Sequence, residues 1–156
     1  MSAFIQNTLH QIDVTVKSID QLFHMIDPQD WPSVPFQNKF TLGELASHIS
    51  LILKADLMIA NGASQKEMNH FYDNANTRTV RECQVQLTDG QQRLIQFYTG
   101  QAEEELFKKT TSYWGTTYTR FEWLLEILVH LTHHREQLFL YLNLIGKDCS
   151  AVSLFE

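Results

Sequence analysis

Within the apolar run from Phe121 to Leu144 stands His130-Leu131-Thr132-His133-His134-Arg135-Glu136-Gln137-Leu138. On a helix, residues four apart project from one face about one turn apart, so the rings of His130 and His134 share a side. Two imidazole nitrogens so placed can converge on one metal ion, or each ring can bond a buried carbonyl or carboxylate. The pair alone leaves both readings open. At about 100° per residue the apolar face centres near Leu131 and Leu138. His134 falls within it and His130 at its border, beside Ile127 and Tyr141. His133 points the other way, among Glu122, Glu126 and Glu136, and reads as a solvated or interface residue, although its i+3 relation to His130 leaves it open as a ligand.

A third histidine, His48, borders the apolar stripe of another helix. Three neutral imidazoles leave open positions for water or substrate, the arrangement of catalytic rather than closed structural zinc. That requires the two helices to be neighbours, which spacing does not decide. His10, His24 and His70 fall off the stripes and are expected at the surface. Glu44, one turn before His48, could orient it or accept a proton, although helix capping already accounts for it. Arg135 faces the apolar side, where an unpaired charge is costly, and Asp56 is its candidate partner in an ion pair. The alternative role of Arg135 is to anchor an anionic substrate. Tyr141 and Gln137 could line a pocket or merely pack; Trp123 is expected in the core.

The elements that must position these residues are helical. Ile5, Leu9, Ile12, Val16, Ile19, Phe23 and Ile26 form an unbroken helical stripe, ended by Pro28. Trp31 and Phe36, in the Pro-marked segment that follows, are expected to fold back onto the helices. Thr41-x-x-Glu44 is a capping box opening a second helix through Leu45, Ile49, Ile52, Leu53 and Ile59, stopped by Asn61-Gly62. Residues 63–77 are polar and read as a long connection, with one short helical turn around Lys66 to Phe71. Thr79-x-x-Glu82 caps a third helix through Val80, Cys83, Leu87, Gly90, Leu94 and Phe97. Gly90 on that stripe implies close helix approach. Gln101 to Lys109 is read as an extension of this helix, and Thr110 to Tyr118 as a loop. Thr119-x-x-Glu122 caps a fourth helix ending near Ile145-Gly146, and Val152 to Glu156 is an apolar tail that could pack on the helices. The expected architecture is all-α: a four-helix bundle in one domain, residues 1–156, its long connection allowing helices 2 and 3 to run parallel.

The chain's 156 residues suffice for one hydrophobic core. With 44% hydrophobic and 19% charged residues it reads as globular. Net charge is −6 and the twelve Lys and Arg are scattered, which disfavours nucleic acid as a partner. Cys83 and Cys149 form no CxxC pattern and read as reduced thiols. Neither a signal peptide nor the roughly 18 uninterrupted apolar residues of a membrane span is visible, so a cytoplasmic protein is expected. A phosphate-binding glycine loop, a GxSxG elbow and a di-iron Glu-x-x-His pair are absent; Glu126 comes nearest, but position 129 is Val.

Two segments resemble the DinB-like family of damage-inducible bacterial proteins, which includes YfiT-type metal-dependent bundles and bacillithiol transferases. One is Phe40-Thr41-Leu42-Gly43-Glu44-Leu45-Ala46-Ser47-His48-Ile49. The other is Thr119-Arg120-Phe121-Glu122-Trp123-Leu124, leading into His130-x-x-x-His134-Arg135-x-Gln137-Leu138 and Tyr141-Leu142. The resemblance extends from the first helix to Gly146. It implies His48, His130 and His134 as ligands of a divalent metal, zinc or nickel foremost, an up-down-down-up helix order, and a homodimer. Glu136 departs from the family's usual Gly, where its side chain could narrow access or only face solvent.

A cation held by three neutral imidazoles keeps its full charge, lowering the pKa of bound water or deprotonating a bound thiol. The resemblance therefore implies a metal-dependent transferase joining a small-molecule thiol to an electrophilic substrate. A metal-dependent hydrolase and a non-catalytic, stress-induced metal-binding module are the alternatives, and no residue separates them.

Overall fold

The computed structural model describes residues 2–155. It comprises α1 (Ala3–Phe23), α2 (Leu42–Ala60), α3 (Gln65–Asp73), α4 (Val80–Thr99), β1 (Lys109–Thr111), β2 (Thr117–Thr119) and α5 (Arg120–Leu144). The helix starts are set by local side-chain chemistry. Thr41–Glu44, Ser64–Glu67 and Thr79–Glu82 are reciprocal capping boxes, satisfying backbone donors that the first turn leaves free. At α5 only half the box forms: Thr119 accepts from the Glu122 amide.

Helix α2 packs against α4 and α5, and the main partners of α1 are α5 and α4 rather than its sequence neighbour α2. A continuous core joins these four helices through residues such as Ile12, Ile19, Leu45, Ile52, Leu87, Leu94, Leu124 and Leu131. Gly90 does what its position implied. A Cβ there would sit 3.0 Å from the Leu53 Cβ, so α4 and α2 approach at a distance only glycine accepts comfortably. Trp31 folds back onto the start of α2 at Gly43, and Phe36 packs 5.4 Å from Tyr141 between ring centroids. Cys83 and Cys149 are buried free thiols.

The structure corrects several expectations in the connections. The short turn near Lys66 is the nine-residue α3, because Ser64 and Glu67 form a full cap. α1 stops at Phe23, ahead of Pro28, yet Ile26 is still buried. Gln101–Lys109 does not extend α4, which ends at Thr99; a 3-10 segment, Glu103–Phe107, follows. Thr110–Tyr118 is not an open loop. Lys109–Thr111 pairs antiparallel with Thr117–Thr119, and Gly115 takes the left-handed backbone (φ 98°) that the turn needs. Trp123 is buried and locks this hairpin by donating to the Thr110 carbonyl (3.2 Å). A second cluster, formed by Trp123 with Ala55, Ile59, Ala60 and Met68, seats α3 and the hairpin against α2 and α5. Of the C-terminal tail, Val152 packs on the core and Glu156 lies outside the described residues. No helix among the described residues is long and apolar enough to cross a membrane.

Candidate metal centre

His48 on α2 and His130 and His134 on α5 come together because these helices are packing partners. One nitrogen of each ring lies within 4.8 Å of the others. His48 Nε2 and His134 Nε2 are 3.0 Å apart, and the centroids of the His130 and His134 rings 4.9 Å. Phe40 stacks on the His48 ring at 5.7 Å and limits its rotation. His10, His24, His70 and His133 are exposed, and Glu136 faces solvent.

Two of the three rings are oriented from behind. His130 Nδ1–H donates to Asp56 Oδ2 at 2.7 Å, and His134 Nδ1–H donates to Gln137 Oε1 at 2.6 Å. A ring protonated at Nδ1 presents its Nε2 lone pair, so both acceptors select the tautomer that a metal requires. Asp56 is only 7% exposed, and this bond satisfies it.

The expected Asp56–Arg135 pair is therefore wrong. Arg135 follows His134 by one residue, about 100° around the helix, and so faces α1 while the histidines face α2. Its guanidinium donates to the Leu154 carbonyl (2.6 Å) and to Ser18 Oγ (3.3 Å). The partner of Asp56 is His130. Spacing offered one signal for the other support: Gln137 is three residues beyond His134, a helix-neighbour separation. Glu44 spends a carboxylate oxygen on the Thr41 amide at 2.8 Å, as its capping role implied. Tyr141 is packed in the core, and Arg135 is too far round the helix to anchor a ligand of the triad.

The electrostatics favour the neutral ring at two of the three histidines. Burial, then the nearby His134 and His130, lower His48 to about 4. Burial also lowers His134, outweighing its bond to Gln137. For His130 burial works in the same sense, but the hydrogen bond and charge of Asp56, with Glu126, prevail and raise it. Asp56, Glu126 and His130 also lie within mutual reach. Asp56 already holds the His130 Nδ1 proton, which makes this group a support for the triad. Burial and the Asp56 charge raise the Glu126 carboxyl. Three nitrogen donors from two rigid helices, two with fixed tautomers, are compatible with a divalent metal ion.

A cavity of about 530 Å³ opens beside His48, lined among others by Trp31, Phe40, Ser47, Tyr72 and Arg78. Of its lining residues only His48 and Glu44 were singled out as site candidates from the sequence, because the walls come from three separated segments.

A protein assigned to the DinB family from Exiguobacterium sibiricum 255-15 is 35% identical, with a TM-score of 0.89 over 99% of each chain. A DinB-like protein of Bacillus cereus ATCC 10987 superposes with a TM-score of 0.75 over 95% of this chain and 97% of that one, at 13% identity. A mycothiol-dependent maleylpyruvate isomerase gives 0.65 over 88% of this chain and 63% of that one, at 12% identity. The last two likenesses speak for the fold alone. No curated protein matches the chain. The DinB family's sequence profile matches residues 1–154, and with the 35% identical relative it establishes that this chain belongs to the DinB family.

Proposed function

We propose that this protein is a divalent-metal-dependent transferase that activates a low-molecular-weight thiol toward an electrophile. The observation that carries this reading is the convergence of His48, His130 and His134, with the Nδ1 atoms of His130 and His134 already committed to Asp56 and Gln137. The three imidazoles would hold the ion through nitrogen, zinc or nickel suiting them best. When bound, it supplies a Lewis acid that lets a thiol or water lose its proton near neutral pH. Asp56 and Gln137 keep the rings aimed, and Phe40 shields one face of His48 from water. The name of the mycothiol-dependent isomerase, whose fold is similar, favours a thiol over water as the activated group. A hydrolase or a non-catalytic metal-binding module would use the same residues.

On this reading the four long helices form a single up-down-down-up bundle domain, and the protein acts in the cytoplasm as a homodimer. Exposed Leu125, Val129, Leu140 and Leu144 share one face of α5 and support an interface there. The test measures metal content of untagged protein, then turnover of monochlorobimane with bacillithiol, glutathione and cysteine. A metal-dependent, thiol-dependent rate that disappears in His130→Ala is expected. Thiol-independent ester or amide cleavage would favour the hydrolase, and bound metal without turnover the module.

A further inference from the structure

The cavity beside His48 carries a charge that nothing in the fold uses. Its walls are Trp31, Phe40 and Tyr72, with Arg78 among the lining residues. Segment 77–79 is pinned on both sides: Thr77 Oγ1 bonds Ser47 Oγ on α2 (2.6 Å), and the Arg78 and Thr79 amides donate to Glu82 Oε2 (2.8 and 3.1 Å). The Arg78 backbone is thus held at the cavity by two helices. Its guanidinium makes no ion pair or side-chain hydrogen bond among the described residues. The cavity therefore offers an unpartnered, solvent-facing guanidinium on a fixed backbone beside three aromatic rings. The cavity's one carboxylate, Glu44, is held by the Thr41 amide. Trp31 is wedged in place, since its ring occupies the space that any side chain at Gly43 would need.

We propose that this cavity binds a small carboxylate-bearing molecule with a flat apolar body, its carboxylate paired with Arg78 and its body against Trp31, Phe40 and Tyr72. Arginine suits that task because its planar fork matches a carboxylate with two parallel hydrogen bonds. The site deepens the function proposed above by naming the class of molecule delivered to His48. It rests on that reading only for what happens after binding.

The probes are 2-naphthoate and its neutral analogue 2-naphthamide, titrated calorimetrically into full-length, metal-free protein, with circular dichroism confirming the fold of each variant. Naphthoate should bind about five- to tenfold more tightly than the amide, the advantage of a charge-assisted hydrogen bond at a partly exposed site. Arg78→Gln should erase that preference and Arg78→Lys should keep part of it. Phe40→Ala should weaken both ligands. Arg81→Gln should change nothing, because Arg81 lines the adjoining cavity and not this one. Equal affinities for the two probes would overturn the proposal, as would an Arg81→Gln effect equal to that of Arg78→Gln. Carboxylate binding in a protein without thiol-dependent turnover would overturn the transferase and leave the pocket standing. Turnover without the carboxylate preference would do the reverse.

Discussion

At the scale of single residues, the triad depends on groups behind it. Asp56 fixes the ring and tautomer of His130, so Asp56→Asn is expected to weaken zinc affinity by about 10–100-fold, as for other carboxylates supporting metal-bound histidines. Competition with a chromophoric chelator measures this; His130→Ala should lose stoichiometric binding. The same residues set opposing pH dependences in metal-free protein. His48 titrates near 4 when folded against an ordinary 6.5, so the unfolded chain takes up its proton first. Stability is therefore withdrawn as pH falls from 6.5 toward 4. His130 acts in the other sense: with its folded pKa raised, its contribution is complete below 6.5 and is lost as pH rises through the folded value. Urea unfolding across this range should show a shallower acid-side loss in His48→Asn and a flatter alkaline side in Asp56→Asn.

Elements position these residues through their ends and their seams. The Thr41–Glu44 box sets where α2 begins, six residues before His48, and Thr41→Ala should cost about 1 kcal/mol in chemical unfolding. Trp123 joins α5 to the hairpin and to the seat of α3. Trp123→Ala removes a fully buried ring, with an expected cost of about 3–5 kcal/mol. Hydrogen exchange should show the Lys109–Thr119 hairpin loosening well beyond the rest of the fold, since its tie at Thr110 goes with the indole.

Across the whole molecule, the contact of α2 with α4 holds the His48 helix at its distance from the others. Gly90→Val would press a branched side chain into Leu53, where a Cβ alone already lies at 3.0 Å. Overpacking of this kind costs about 1–3 kcal/mol and should appear as a lower Tm. The buried Arg135 ties α5 to α1 through Ser18 and to the C-terminal segment through Leu154, so the tail belongs to the packed structure.

The long helices were legible in the chain because helical periodicity, Thr-x-x-Glu caps and Gly or Asn stops are local signals, encoded within a few residues. His130 and His134 shared a face for the same reason, His48 bordered the stripe of its own helix, and the family resemblance implied that the three act together. The hairpin was not legible: three-residue strands leave no period to count, and they are held by Trp123 and by pairing across the turn. The partners of Asp56 and Arg135 were equally hidden. Both side chains face the interior, and periodicity says which way a residue points on its own helix but not which helix stands opposite. Only the packing of α2 and α1 against different sides of α5 assigned Asp56 to His130 and Arg135 to Ser18 and Leu154. The aromatic cavity with Arg78 also arose from tertiary structure, because its walls converge from segments whose sequences carry no common pattern.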